Sequence, residues 1–116
     1  MKQRILLLHE ALEQSWSSQS SSLWTEDNPA CGQCGVTSLV VHDYTGGEIA
    51  KTMAGGRWHF YNIISGVRID FTSTQFSVLP HYEDRISSRE EAMLDTNEVQ
   101  YTYLKQAVQE YIEKRK

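Results

Sequence analysis

An α+β fold is what this sequence predicts: a buried helix packed on a small antiparallel sheet, with a helix towards each end of the chain. Three stretches carry the expectation. Residues 34–44, "CGVTSLVVHDY", are apolar along most of their length, as befits a central helix with little solvent-facing surface. "RWHFYNII" and "VRIDFTST" are rich in aromatic and β-branched residues and are separated by Ser65-Gly66, the pattern of a hairpin. Both ends of the chain repeat apolar residues at three- and four-residue steps. At 116 residues the chain is read as one domain, 1–116, able to bury one modest core.

The first helix is expected over 3–16, with Ile5, Leu8, Leu12 and Trp16 on one face and Leu6 and Leu7 widening it. "SSQSSS" at 17–22 is a polar connector, either a loose surface loop or a segment draped across a site. Asn28-Pro29 favours a turn, and Trp24 before it is expected to anchor in an apolar pocket. The central helix starts near Cys34 and reaches about Tyr44, where Gly46-Gly47 ends it. "EIAKTM" is a short strand and Gly55-Gly56 a turn into the hairpin. Ser87 and Glu90 have capping-box spacing ahead of a helix at 88–94, and Thr96 is placed to cap the last helix. The stripe Leu104, Ala107, Val108, Tyr111 and Ile112 should pack that helix on the core. Both C-terminal helices read as scaffold.

Net charge is −4, from 11 basic and 15 acidic residues, with no Lys/Arg cluster before the terminal "EKRK". Duplex binding needs a basic footprint, so no nucleic-acid partner is expected. "ILLL" at 5–8 is far too short for a membrane span or a signal-peptide core, and the expected location is the cytoplasm, with no membrane partner. Two cysteines three positions apart do not make a disulfide framework.

The chemistry centres on Cys34, His59 and Asp70. A thiol at a helix start is exposed to the dipole and free amides, which lower its pKa and favour the thiolate. A two-residue turn at 65–66 sets Ile64 opposite Val67, Tyr61 opposite Asp70 and His59 opposite Thr72. His59, Tyr61, Asp70 and Thr72 then share one face, and His59 and Asp70 are diagonal neighbours. In this arrangement Cys34 is the nucleophile, His59 the base and acid, and Asp70 the group that orients the imidazole. The backbone N–H of Cys34 and a loop donor would form the oxyanion hole. A buried inert cysteine with a satisfied sheet histidine is the structural alternative.

Two other readings use the cysteine pair. "CGQC" before a helix has dithiol spacing, but polar "TEDNPA" precedes it where a thioredoxin-type fold has a buried strand. Cys31 and Cys34 with His42, His59 or His81 would make a zinc set, but a second tight ligand pair is missing. His42 is placed as a helix-end histidine and His81 as a loop residue in solvent. Neither metal nor cofactor is expected. "GGR" at 55–57 lacks the glycine-lysine helix start of a phosphate loop.

With "LEQSW", "NPACGQCGVTSLVVHDYTGGEI", "HFYNIISGVRIDFTSTQF" and, more loosely, "SREEAM", the chain resembles the YunG-like family of small uncharacterised bacterial proteins. The family's cysteine after Gly-Gln matches Cys34, whereas the position of Cys31 is not typically cysteine. More distantly, the order Cys, strand His, strand Asp is similar to papain-like and transglutaminase-like folds. That likeness implies acyl transfer at amides, with a peptide, protein or small amide as substrate. Papain-like enzymes carry an oxyanion-hole glutamine several residues before the cysteine; here Asn28 stands at a comparable offset and Gln33 is adjacent, with Thr72 as a further supporting residue. The expected function is a thiol-dependent amide hydrolase or acyl-transfer enzyme: peptidase, deamidase or transglutaminase-like. Its alternative is a non-catalytic interaction protein that keeps the fold.

Overall fold

The computed structural model describes residues 2–115. Chain order is α1 (Lys2–Ser15), α2 (Cys34–Thr45), β1 (Glu48–Ala54), β2 (Arg57–Ile64), β3 (Val67–Ile69), a 3-10 turn (Ser73–Gln75), β4 (Arg85–Ile86), α3 (Arg89–Leu94) and α4 (Glu98–Lys114). The architecture is α+β, with four helices and one antiparallel sheet in the order β3-β2-β1-β4.

The periodicity of α1 buries Leu8, Ala11 and Leu12, and Trp16 just beyond it, against α2 and α4. The Trp16 indole Nε1 donates to Thr37 Oγ1 at 2.9 Å, which ties α1 to α2. Leu6, expected to widen the apolar face, is exposed instead; its side chain lies off the Leu8–Leu12 stripe. Every residue of α2 from Cys34 to Val41 is buried. A helix enclosed on all sides needs no amphipathic pattern, and its sequence has little. Gly46, at φ +69°, ends it with its N–H donating to His42 O at 2.9 Å.

The β2–β3 register pairs Ile64 with Val67, Ile63 with Arg68 and Asn62 with Ile69, as the two-residue turn requires. Ser65 and Gly66 both have positive φ, the geometry whose twist matches the strands. The expected long second strand is not formed, because β3 ends at Ile69. The cause is local: the Asp70 carboxylate accepts from Thr72 N–H at 3.1 Å and from Thr72 Oγ1 at 3.1 Å, a side-chain turn that competes with the ladder. The chain then makes the 3-10 turn and crosses one face of β1 and β2 on its way to β4. There Thr52 Oγ1 donates to His81 O at 2.8 Å, and Tyr61 donates its hydroxyl to Asp84 at 2.9 Å.

Two caps lie one residue beyond their expected positions. Ser88, not Ser87, accepts from Glu91 N–H at 3.1 Å at the start of α3; Ser87 instead donates to the Glu91 side chain. Asn97, not Thr96, accepts from Gln100 N–H at 2.8 Å at the start of α4. On α4, Leu104 and Val108 are buried while Tyr111 and Ile112 pack at the edge of the same core.

Candidate functional site

Cys34 is the first residue of α2, and His59 lies mid-strand on β2. Both line one pocket of about 410 Å³, with Cys31, Trp58, Phe76 and Asp95 among its walls. The serine segment closes one side through Ser21, Ser22 and Leu23. Ser20 and Ser21 are buried and held in turns on Ser17 O, so this segment is draped rather than loose. Gly32 permits that closure: a Cβ there would stand 2.5 Å from Ser21 Oγ and 2.6 Å from Leu23 Cβ. Trp24 is absent from the walls and packs against the main core.

His59 Nε2 and Asp70 Oδ2 are 2.7 Å apart, with side chains only 4% and 5% exposed. The Tyr82 hydroxyl donates to the same oxygen at 2.7 Å, and Thr72 bonds the other one. Burial alone would raise the Asp70 pKa. The hydrogen bond and charge of His59, then Tyr82 and Thr72, outweigh burial and hold this carboxyl below the usual range. Phe76 stacks edge-on against the imidazole at 4.8 Å between centroids.

The thiol is held differently. Its hydrogen-bond partner is Asp95, at 3.4 Å from Sγ to Oδ2, and among the described residues no hydrogen bond joins it to His59. Burial, followed by the Asp95 charge, pushes the Cys34 pKa up to about 12, against a weaker downward pull from the Phe60 backbone. Desolvation and the adjacent carboxylate both act against the lowered thiol pKa expected from a helix start. Asp95 follows α3 as its C-terminal cap, so a segment read as scaffold supplies the side chain hydrogen-bonded to the sulfur. Its carboxylate also accepts from Gly35 N–H at 3.1 Å. Burial raises its own pKa.

Strand geometry explains how thiol and imidazole reach one pocket. Asn62 on β2 donates to Ser38 O of α2 at 3.1 Å, so even-numbered β2 side chains face α2, and His59 and Tyr61 face the other way. A two-residue turn makes Ile64 and Val67 a hydrogen-bonded pair, and the period of two directs the backbone groups of Asn62, Phe60 and Trp58 to that same edge. Since β3 stops opposite Asn62, the edge is uncovered at Phe60. Cys34 and His59 both line the pocket although the His59 side chain leaves the face of β2 turned away from α2, and the Phe60 backbone on this edge acts on the Cys34 sulfur.

The supporting residues are placed as follows. Gln33 is fully buried just before α2, its Nε2 within 3.5 Å of Ser17 O and its Oε1 without a hydrogen-bond partner among the described residues. Asn28 Nδ2 donates to Gln75 O at 3.1 Å. Thr72 secures Asp70 rather than lining the cavity. His42 contacts Arg89 at 3.0 Å near the end of α2, and His81 is exposed in its loop. Cys31 and Cys34 are both free thiols. Among the described residues no group of three or more His, Cys, Asp or Glu side chains is arranged to hold a metal ion, and no helix is long and apolar enough to cross a membrane.

Sequence comparison adds kinship. A family model described as "YunG protein" matches residues 4–113. An "Uncharacterized protein YunG" from Bacillus subtilis (strain 168) is 59% identical over 96 residues, covering 83% of this chain and 84% of that one. No solved structure matches.

Proposed function

The chain belongs to the YunG family, and from the chemistry of its pocket we propose that it is a thiol-dependent acyl-transfer enzyme acting on amides, as a hydrolase or a transferase. The observation that carries this reading is the held imidazole: His59 bonded to a buried carboxylate, on the wall of the cavity that contains the Cys34 thiol. An imidazole oriented by a satisfied carboxylate is the usual partner of a nucleophile in such chemistry. The papain-like order of Cys34, His59 and Asp70 along the chain agrees with it.

Burial and the Asp95 carboxylate disfavour the thiolate, and this gives the mechanism its form. Rather than a preformed thiolate, Cys34 attacks the carbonyl carbon as His59 takes the S–H proton, in the manner of a general-base-assisted nucleophile. The S–C bond forms, the bond to the leaving amine breaks, and His59 delivers the proton to the departing nitrogen. Water or an acceptor amine then opens the thioester. Asp70 fixes the ring and stabilises its charged form throughout.

The test is acylation of Cys34 by p-nitrophenyl acetate, followed by intact mass in a Cys31→Ser background. The expected result is a thioester on Cys34, absent in Cys34→Ala and formed at least about tenfold more slowly in His59→Ala. Equal acylation with and without His59, or labelling seen only after denaturation, would remove the proposal. A second reading, a binding pocket without turnover, is favoured by two observations: the sulfur is bonded to Asp95 and not to the imidazole, and the His59 side chain leaves the face of β2 turned away from α2.

A further inference from the structure

Resting on that reading of the pocket, we propose that Asp95 is a positioning residue that keeps Cys34 as a neutral thiol and occupies the Gly35 amide beside it at the start of α2. One carboxylate oxygen makes both contacts: Oδ2 lies 3.4 Å from Cys34 Sγ and 3.1 Å from the Gly35 nitrogen. Losing the S–H proton would convert a hydrogen bond into two facing anions, so the ionised carboxylate favours the thiol form.

The approach is built into the backbone. A Cβ at Gly35 would stand 2.6 Å from Asp95 Oδ2, 2.7 Å from its Cβ and 2.9 Å from Ala92 O, so the end of α3 can press on α2 only because position 35 carries no side chain. Asp95 is held at the end of α3 by its N–H, which donates to Ala92 O at 3.1 Å. The other charged or titratable groups around the sulfur are His59 and Arg57 from β2, Cys31 from the turn before α2, and Asp70 beyond β3. Of all these, Asp95 is the one hydrogen-bonded to Sγ among the described residues.

The same carboxylate bears on oxyanion stabilisation. A developing oxyanion at a helix-start nucleophile is stabilised by nearby backbone N–H groups. Here the Gly35 N–H is already committed to Asp95. Asp95 thus already occupies one of the amide donors beside the Cys34 sulfur.

The experiment replaces Asp95 by Asn in the Cys31→Ser background and follows iodoacetamide labelling of Cys34 across a pH series. Asparagine retains an acceptor for Gly35 N–H and removes the charge. The expected result is a labelling midpoint lower by at least about one pH unit, which is roughly tenfold faster labelling at a fixed pH below the midpoint. An unchanged or raised midpoint in a variant with native near-ultraviolet circular dichroism overturns the proposal. Ultraviolet thiolate absorbance of the chain with Asp95 intact gives an independent reading: the Cys34 thiolate should be absent at neutral pH, and its presence there overturns the proposal too. Neither measurement uses an acyl substrate. A failed acylation assay therefore leaves the Asp95 result standing, and an unmoved Asp95→Asn profile leaves the acylation result standing.

Discussion

Asp70 holds the imidazole of the pocket and Asp95 holds its thiol, yet the two carboxylates live under different terms. Both lose water by burial, which favours their protonated forms. Asp70 receives the imidazole, a phenol, a hydroxyl and a backbone N–H, and its ionised form prevails. Asp95 receives one backbone N–H and one thiol, a weak donor, and burial prevails. Donor number and strength, rather than depth alone, decide which buried carboxylate is comfortable. A satisfied acid makes a rigid support, and an under-satisfied one keeps its neighbour's proton in place.

The largest expected effect that sharpens this contrast is Asp70→Ala. Removing one partner of a buried hydrogen-bonded pair leaves His59 and the Tyr82 hydroxyl without their acceptor, and denaturant unfolding should show a loss of about 3–5 kcal/mol. A loss below about 1 kcal/mol would mean that Asp70 is not a structural support. Next is Tyr82→Phe, which deletes one hydrogen bond to a charged oxygen; the same measurement should register about 1.5–3 kcal/mol. The smallest is Asp95→Asn, expected to stay within about 1 kcal/mol of the parent or to exceed it in stability, because it removes a poorly solvated charge.

Acid separates the two sites by sign. Asp70 has a depressed folded pKa, so its contribution is present above the unfolded value of about 3.9 and is lost as pH falls through the folded value. Asp95 has a raised folded pKa, so its ionised form costs stability at neutral pH and protonation relieves that cost as pH falls through the folded value. Any stability advantage of Asp95→Asn should therefore shrink on acidification, as measured by denaturant midpoints at stepped pH.

Much of the support for the imidazole was legible from the chain. The start of α2 at Cys34 and the Ser65-Gly66 register follow from local pattern, and the anticipated His59–Asp70 contact forms. The expected pairs Tyr61–Asp70 and His59–Thr72 do not form, because the ladder ends at Asn62–Ile69 and Asp70 lies past β3. The early end of β3 also has a local cause in "DFT", where an aspartate two residues before an N–H makes a turn that strand propensity alone does not reveal. Asp95 left no such mark. It lies 61 positions from Cys34, in a short link between two helices, and its tie to the sulfur exists only after α3 docks on α2. One sequence signal pointed towards it: Gly35 directly after Cys34, a residue poor for helix stability unless something must come close. Tyr82 was equally hidden, in a loop whose course over the sheet depends on where β3 ends.

The most direct test of the opposed carboxylates is carbon-13 NMR of the aspartate side-chain carboxyls across a pH series, with the two resonances assigned through Asp70→Asn and Asp95→Asn. Asp70 should titrate below the ordinary aspartate value of about 3.9 and Asp95 above it. Asp95 titrating at or below Asp70 would contradict the account.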